Sequence, residues 1–129
     1  MSMTQHSGTT PQEVHQQAIR ASIAEVTGLL QDTLSRRLTA YIAGVKEAKT
    51  VGRWVSGEIE DVRDPLVEQR LRTAYEIVLM LGERDSPKVV RAWFIGLNPQ
   101  LGDVSPAEVL REGRLKDVLA AARAFTVGG

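Results

Sequence analysis

The feature that most constrains this chain is where its prolines fall. Four of the five follow a Ser, Thr or Asp: Thr10-Pro11, Asp64-Pro65, Ser86-Pro87 and Ser105-Pro106. Proline is at no disadvantage at the first position of a helix, because that N–H has no intrahelical acceptor. The Ser, Thr or Asp before it caps the next free N–H groups. Thr10-Pro-Gln-Glu13 and Ser105-Pro-Ala-Glu108 add a Glu three residues after the cap, placed to reach back to the cap N–H. Prolines in these positions open helices; inside central strands they would remove ladder donors.

Between these starts, apolar residues recur at helical spacing. Ile19, Ile23, Val26 and Leu30 predict one helix over 11–32, and Val67, Leu71, Ala74, Val78 and Leu81 predict another over 65–82. Val89, Val90, Trp93, Phe94 and Leu97 give a stripe on 87–97, residues 106–112 a short helix, and Leu115, Val118, Leu119, Ala122 and Phe125 a last helix over 114–125. No stretch of strict alternation bounded by turns occurs, so the expected fold is all-α. Gly82, Gly102 and Gly113 stand where these helices should stop, as residues free to turn left-handed. The expected organisation is a polar tail (1–10), an N-terminal helix and helix-turn-helix module (11–63), a central helix and link (64–86) and a C-terminal domain (87–129). From Ala74 to Leu81 only Glu76 is polar, so this half of the central helix is apolar on every face. Such a helix runs through the middle of a fold or forms a subunit interface.

Composition narrows the function classes. The chain has 129 residues, enough for one domain with its own core. Sixteen basic and sixteen acidic residues balance, so bulk charge cannot hold nucleic acid or membrane, and any basic patch is local. There is no cysteine, which removes disulfides, thiolate nucleophiles and cysteine-ligated zinc. The longest apolar run, Ile77–Leu81, is far too short to span a bilayer, and no signal-peptide pattern is present, so a cytoplasmic location is expected.

One local basic patch lies in residues 35–56, where Arg36, Arg37, Lys46, Lys49 and Arg53 face a single acid, Glu47. The spacing predicts a short helix with Leu38, Tyr41 and Ile42 inward, a turn at Gly44, and a second helix fastened by Val51 and Trp54 and ending at Gly57. This is the pattern of a helix-turn-helix, whose second helix enters the major groove. Its exposed face would carry Lys46, Lys49, Thr50 and Arg53 as candidate DNA contacts, chemistry suited to phosphates and base edges. Val51 follows Gly44 by seven positions where the commonest form has six, and Gly52 lies inside the second helix at a cost of about 1 kcal/mol relative to Ala.

The C-terminal third carries a more specific signal. A tryptophan helix is followed by Leu97-Asn-Pro-Gln-Leu-Gly102, then Ser105-Pro-Ala-Glu-Val-Leu-Arg-Glu-Gly113, then a short amphipathic helix. This order resembles the C-terminal domain of the Xre/MbcA/ParS-type antitoxins, and Ala40-Tyr-Ile-Ala-Gly-Val with Thr50-Val-Gly-Arg-Trp-Val-Ser-Gly57 resembles their helix-turn-helix half. The resemblance covers about residues 30–125. It implies an Xre-like module joined to a small toxin-binding domain, and as partner a RES-domain toxin that consumes NAD by degradation or ADP-ribose transfer. It further implies that the C-terminal domain covers the toxin's active-site entrance, that helix 65–82 is a dimerisation element in a homodimer, and that the helix-turn-helix represses the chain's own operon. The implied partner contacts are Trp93, Asn98, Arg111, Arg114, Arg123 and the tail Phe125–Gly129. Each also has a plainer reading: Trp93 and Phe94 as core before contact, Asn98 and Pro99 as turn formers, the arginines as surface charges, and the tail as a frayed end.

No enzyme is expected, and no cofactor. The two histidines, His6 and His15, lie near the N-terminus, so no nucleophile–His–acid set can be assembled. Metal-ligand spacing is absent, and Gly52-x-x-x-x-Gly57 is followed by Glu58 where a phosphate loop needs Lys. The other functional classes the sequence admits are a stand-alone helix-turn-helix regulator with a helical dimerisation domain, and a helical adaptor.

Overall fold

Each proline-opened helix begins at its expected cap. In the computed structural model, which describes residues 10–128, Thr10 Oγ1 accepts from the Glu13 N–H at 3.1 Å, and Glu13 Oε1 accepts from the Thr10 N–H at 2.9 Å. Asp64 accepts from the Leu66 N–H at 2.9 Å, Ser86 from that of Val89 at 3.3 Å, and Ser105 from that of Glu108 at 3.2 Å. At Ser105 the Glu108 carboxylate does not return the bond, so only half of the expected device forms. The predicted tail over residues 1–9 lies outside the described residues.

Among the described residues eight helices follow in order: α1 Pro11–Arg20, α2 Ile23–Leu34, α3 Arg36–Ala43, α4 Ala48–Ser56, α5 Pro65–Gly82, α6 Pro87–Ile95, α7 Pro106–Glu112 and α8 Leu115–Gly128. A single 3-10 turn, Pro99–Leu101, separates α6 from α7. Among the described residues there is no strand, so the fold class is all-α, as the sequence predicts. No helix among them is long and apolar enough to cross a membrane.

The predicted helix over 11–32 is two helices. Ser22 Oγ accepts from the Glu25 N–H and Glu25 Oε1 from the Ser22 N–H, both at 3.1 Å. This second capping box stops α1 at extended Ala21 and starts α2 in a new direction. The change of axis carries Ile19, 54% exposed, off the stripe it seemed to share with Ile23. The carbonyls left free at the end of α1 are taken by Arg72 of α5, whose Nη1 donates to Ala18 at 3.0 Å and Ala21 at 2.7 Å.

Of the two readings of the apolar helix, the structure realises the first: α5 runs through the centre of the chain and packs against α1, α2, α3, α6, α7 and α8. Leu71, Ala74, Tyr75, Ile77, Val78 and Leu81 are all buried on it. Glu76 is buried too (5% exposed), and His15 Nδ1 of α1 lies 3.1 Å from its Oε1. One continuous core runs from Ala18 to Ala122, with α3 packed directly on α7, so the N- and C-terminal parts share it.

Two chain ends within the fold differ from expectation. Gly82 is the last residue of α5 and is followed by a right-handed Glu83 cap, whereas Gly102 and Gly113 do turn left-handed at φ 68° and 88°. The last helix continues past 125 to Gly128, because both Nη atoms of Arg84 donate to the Thr126 carbonyl at 2.9 and 3.1 Å. Residues 125–128 are therefore helix, not frayed tail.

Candidate functional site

The first candidate surface is built at the corner between α3 and α4. Gly44 adopts φ 86°, and its hydrogen-side space is filled by Arg70 of α5: a Cβ there would lie 2.9 Å from Arg70 Nη1. Arg70 Nη1 donates to the Ala43 carbonyl at 3.2 Å, tying the end of α3 to the central helix. The turn over 44–47 absorbs the extra residue, since Val51 and Trp54 are both buried against the core. Gly52, expected only as a weakness, has a packing reason. The Arg36 guanidinium sits against it, 3.0 Å from where a Cβ would be, with its Nε donating to Gln31 at 2.7 Å.

With Val51 and Trp54 inward, Lys46, Lys49 and Arg53 are exposed and Thr50 is half-buried. Lys49 lies 3.7 Å from Glu47 and Arg53 3.8 Å from Glu58, loose surface pairs of the kind worth about 0–1 kcal/mol. Of the three residues predicted to point inward, Ile42 is buried and Leu38 half-buried, but Tyr41 is 40% exposed. The Arg111 guanidinium of α7 stacks 4.7 Å from the Tyr41 ring centroid, and its Nη1 donates to the Tyr41 carbonyl at 2.7 Å. Between these groups opens a depression of about 620 Å³, lined by Arg37, Tyr41, Lys46, Glu47, Lys49 and Arg111 among others. Thr50 and Arg53 lie outside it.

The second candidate surface is at the other end of the sequence. Phe94 is fully buried, while its neighbour Trp93 is half-buried, edge-on to Phe94 at 5.3 Å and tilted against Phe125 at 6.2 Å. A recess of about 460 Å³ is lined by Trp93, Leu97, Asn98, Pro99, Phe125 and Gly128 among others, and its walls are largely apolar. Leu97 (75% exposed) and Val127 (86%) stand in solvent, as do Ile95 and Phe125. Asn98 holds the turn at the recess edge: its side chain accepts from the Gln100 N–H at 2.9 Å, and its carbonyl accepts from Leu101 and Asp103.

Three of the six predicted partner residues, Trp93, Asn98 and Phe125, thus meet in one recess, and the three arginines do not. Arg111 belongs to the α3–α4 corner. Arg114 is engaged locally, with Nε 3.0 Å from Asp117 and Nη1 3.5 Å from Glu112, and its hydrogen bond to Asp117 holds its pKa above the ordinary arginine value. Arg123 is exposed on α8 away from the recess lining. Sequence reasoning left Arg37 and Tyr41 out of the candidate contacts at the corner and Leu97 and Pro99 out of those at the recess. The Arg36-Arg37 pair signalled the first; nothing in the sequence signals that Arg111, seventy residues after Tyr41, returns to it. No protein-family model, curated protein or solved structure matches this chain.

Proposed function

We propose that this chain is an antitoxin that binds a RES-domain, NAD-consuming toxin through the α6–α8 end and covers its active-site entrance. The observation that carries the reading is the apolar recess of Trp93, Leu97 and Phe125 with Leu97 and Val127 exposed beside it. A contiguous apolar patch of this kind on a small soluble chain marks a protein-docking face. It coincides with the Leu97–Gly102 turn on which the family resemblance rests. Trp93 and Phe125 serve as the aromatic anchors that dominate such interfaces, and the Asn98 turn sets the rim.

The test is co-purification. The chain, tagged at its N-terminus, is expressed with the product of the neighbouring gene, and NAD is assayed with and without it. A stable complex in which NAD survives is expected; a free chain with no effect on NAD overturns the reading. Light scattering on the complex reads its stoichiometry, including the homodimer that the resemblance implies.

A second reading, DNA contact by α4 as a helix-turn-helix, is favoured by a separate observation. Lys49 and Arg53 are exposed on a helix whose opposite face is locked by Val51 and Trp54, with Lys46 exposed in the turn before it. It adds operon autorepression to the antitoxin role, or stands alone as a transcriptional regulator. Charge reversal at Lys49 and Arg53 that leaves duplex binding intact would refute it.

A further inference from the structure

We infer that the depression between α3, the 44–47 turn and α7 is a clamp for the phosphate backbone of duplex DNA, and that Arg111 and Arg37 are two of its cations. The inference rests on the reading that α4 faces DNA, and it assigns to that face a residue from the C-terminal half of the chain. Four cationic side chains from four separate segments converge here: Arg37 of α3, Lys46 of the turn, Lys49 of α4 and Arg111 of α7, against one lining acid, Glu47. The chain as a whole carries no net charge, so this excess is a local construction.

Arg111 is pre-organised. Its guanidinium lies over the Tyr41 ring and gives one N–H to the Tyr41 carbonyl, which fixes the plane and leaves its remaining donors for another acceptor. A planar, fixed fork suits a phosphate oxygen better than a free lysine does. The Tyr41 ring points to the same conclusion. Arg111 already occupies a face of this exposed aromatic, so the ring is not a free platform for an unpaired base, as single-strand binding would require. The Glu47 side chain makes no capping bond to α4 and lies instead toward Lys49.

Fluorescence anisotropy with a labelled random-sequence duplex, across a range of salt, tests this on the full chain. Each phosphate contact contributes about 0.9 to the slope of log K against log salt, equivalent to about eightfold in affinity near 0.1 M salt relative to 1 M. Arg111→Gln and Arg37→Gln are each expected to lower the slope by about one contact, and Arg111→Lys to restore much of it. Thermal unfolding of Arg111→Gln reports any loosening of α7, and Arg37, whose side chain makes no hydrogen bond or ion pair among the described residues, gives the same readout independently of packing. If both Gln variants keep the wild-type slope while Lys49→Glu weakens binding, the clamp is wrong and the α4 reading stands. If the wild-type chain binds no duplex even at low salt, the α4 reading itself fails and the clamp with it. Stabilisation by pyrophosphate without duplex binding would mark a small-anion site and overturn the duplex assignment.

Discussion

At the α3–α4 corner the large apolar side chains, Ile42, Val51 and Trp54, are buried and the charges stand outside. At the α6–α8 end the sorting is incomplete: Phe94 is buried, but Leu97 and Val127 remain in water and Trp93 is only half covered. The two surfaces lie on one core, so the difference is not one of folding quality. Solvated charges cost the fold little, while exposed apolar area forgoes about 25 cal/mol per Å² that burial would return. The corner is therefore complete as a folded object, and under the proposed DNA reading its local charge is what meets a polyanion. The α6–α8 end is left with exposed apolar surface, which under the proposed antitoxin reading a partner protein covers.

Four variants break or sharpen that contrast. Phe94→Ala has the largest effect, because it hollows the single core that both ends of the chain share. A loss of about 3–5 kcal/mol in unfolding free energy is expected by chemical denaturation, with both binding activities falling together. If one activity survives at full strength, the surfaces do not share a scaffold. Leu97→Asp combined with Val127→Asp touches only exposed apolar side chains of the α6–α8 end. Toxin binding should weaken at least tenfold by calorimetric titration, with the melting temperature and duplex binding unchanged. Lys49→Glu combined with Arg53→Glu is the mirror experiment: the salt slope of duplex binding should fall by about two contacts while toxin binding keeps its affinity. The smallest effect belongs to Ser22→Ala, which removes the cap between α1 and α2. It should lower stability by about 1 kcal/mol and move neither activity, so a change in either would show that the α1–α2 joint is coupled to that surface.

Local rules were legible in the sequence wherever one residue decides one event. Thr10, Asp64, Ser86 and Ser105 each predicted a helix start because a cap is made within three residues, and Gly102 and Gly113 predicted left-handed stops for the same reason. The break at Ser22 was written in the same grammar, as Ser22-x-x-Glu25, but the apolar period continued across it and concealed the joint. Contacts between distant segments were not legible. Periodicity gave Trp93 and Phe94 to one stripe, and only tertiary packing separates buried Phe94 from half-buried Trp93. Likewise Arg111 belonged, by proximity in sequence, with Arg114 and Arg123. The direct packing of α7 on α3 moves it to Tyr41, a partner no spacing rule encodes.

The bond from Arg84 to the Thr126 carbonyl has a practical consequence for handling the molecule. It carries α8 as rigid helix to Gly128, which itself lines the recess beside Trp93 and Phe125. Anything joined beyond Gly128, whether an affinity tag, a fluorophore or a fusion partner, follows directly from a residue of the recess lining. The opposite end of the described chain starts α1, which packs on α5 and takes no part in the recess lining. Labels placed there report on the α6–α8 end without obstructing it, and a C-terminal label that blocks binding while an N-terminal one does not would locate the docking face without any substitution at all.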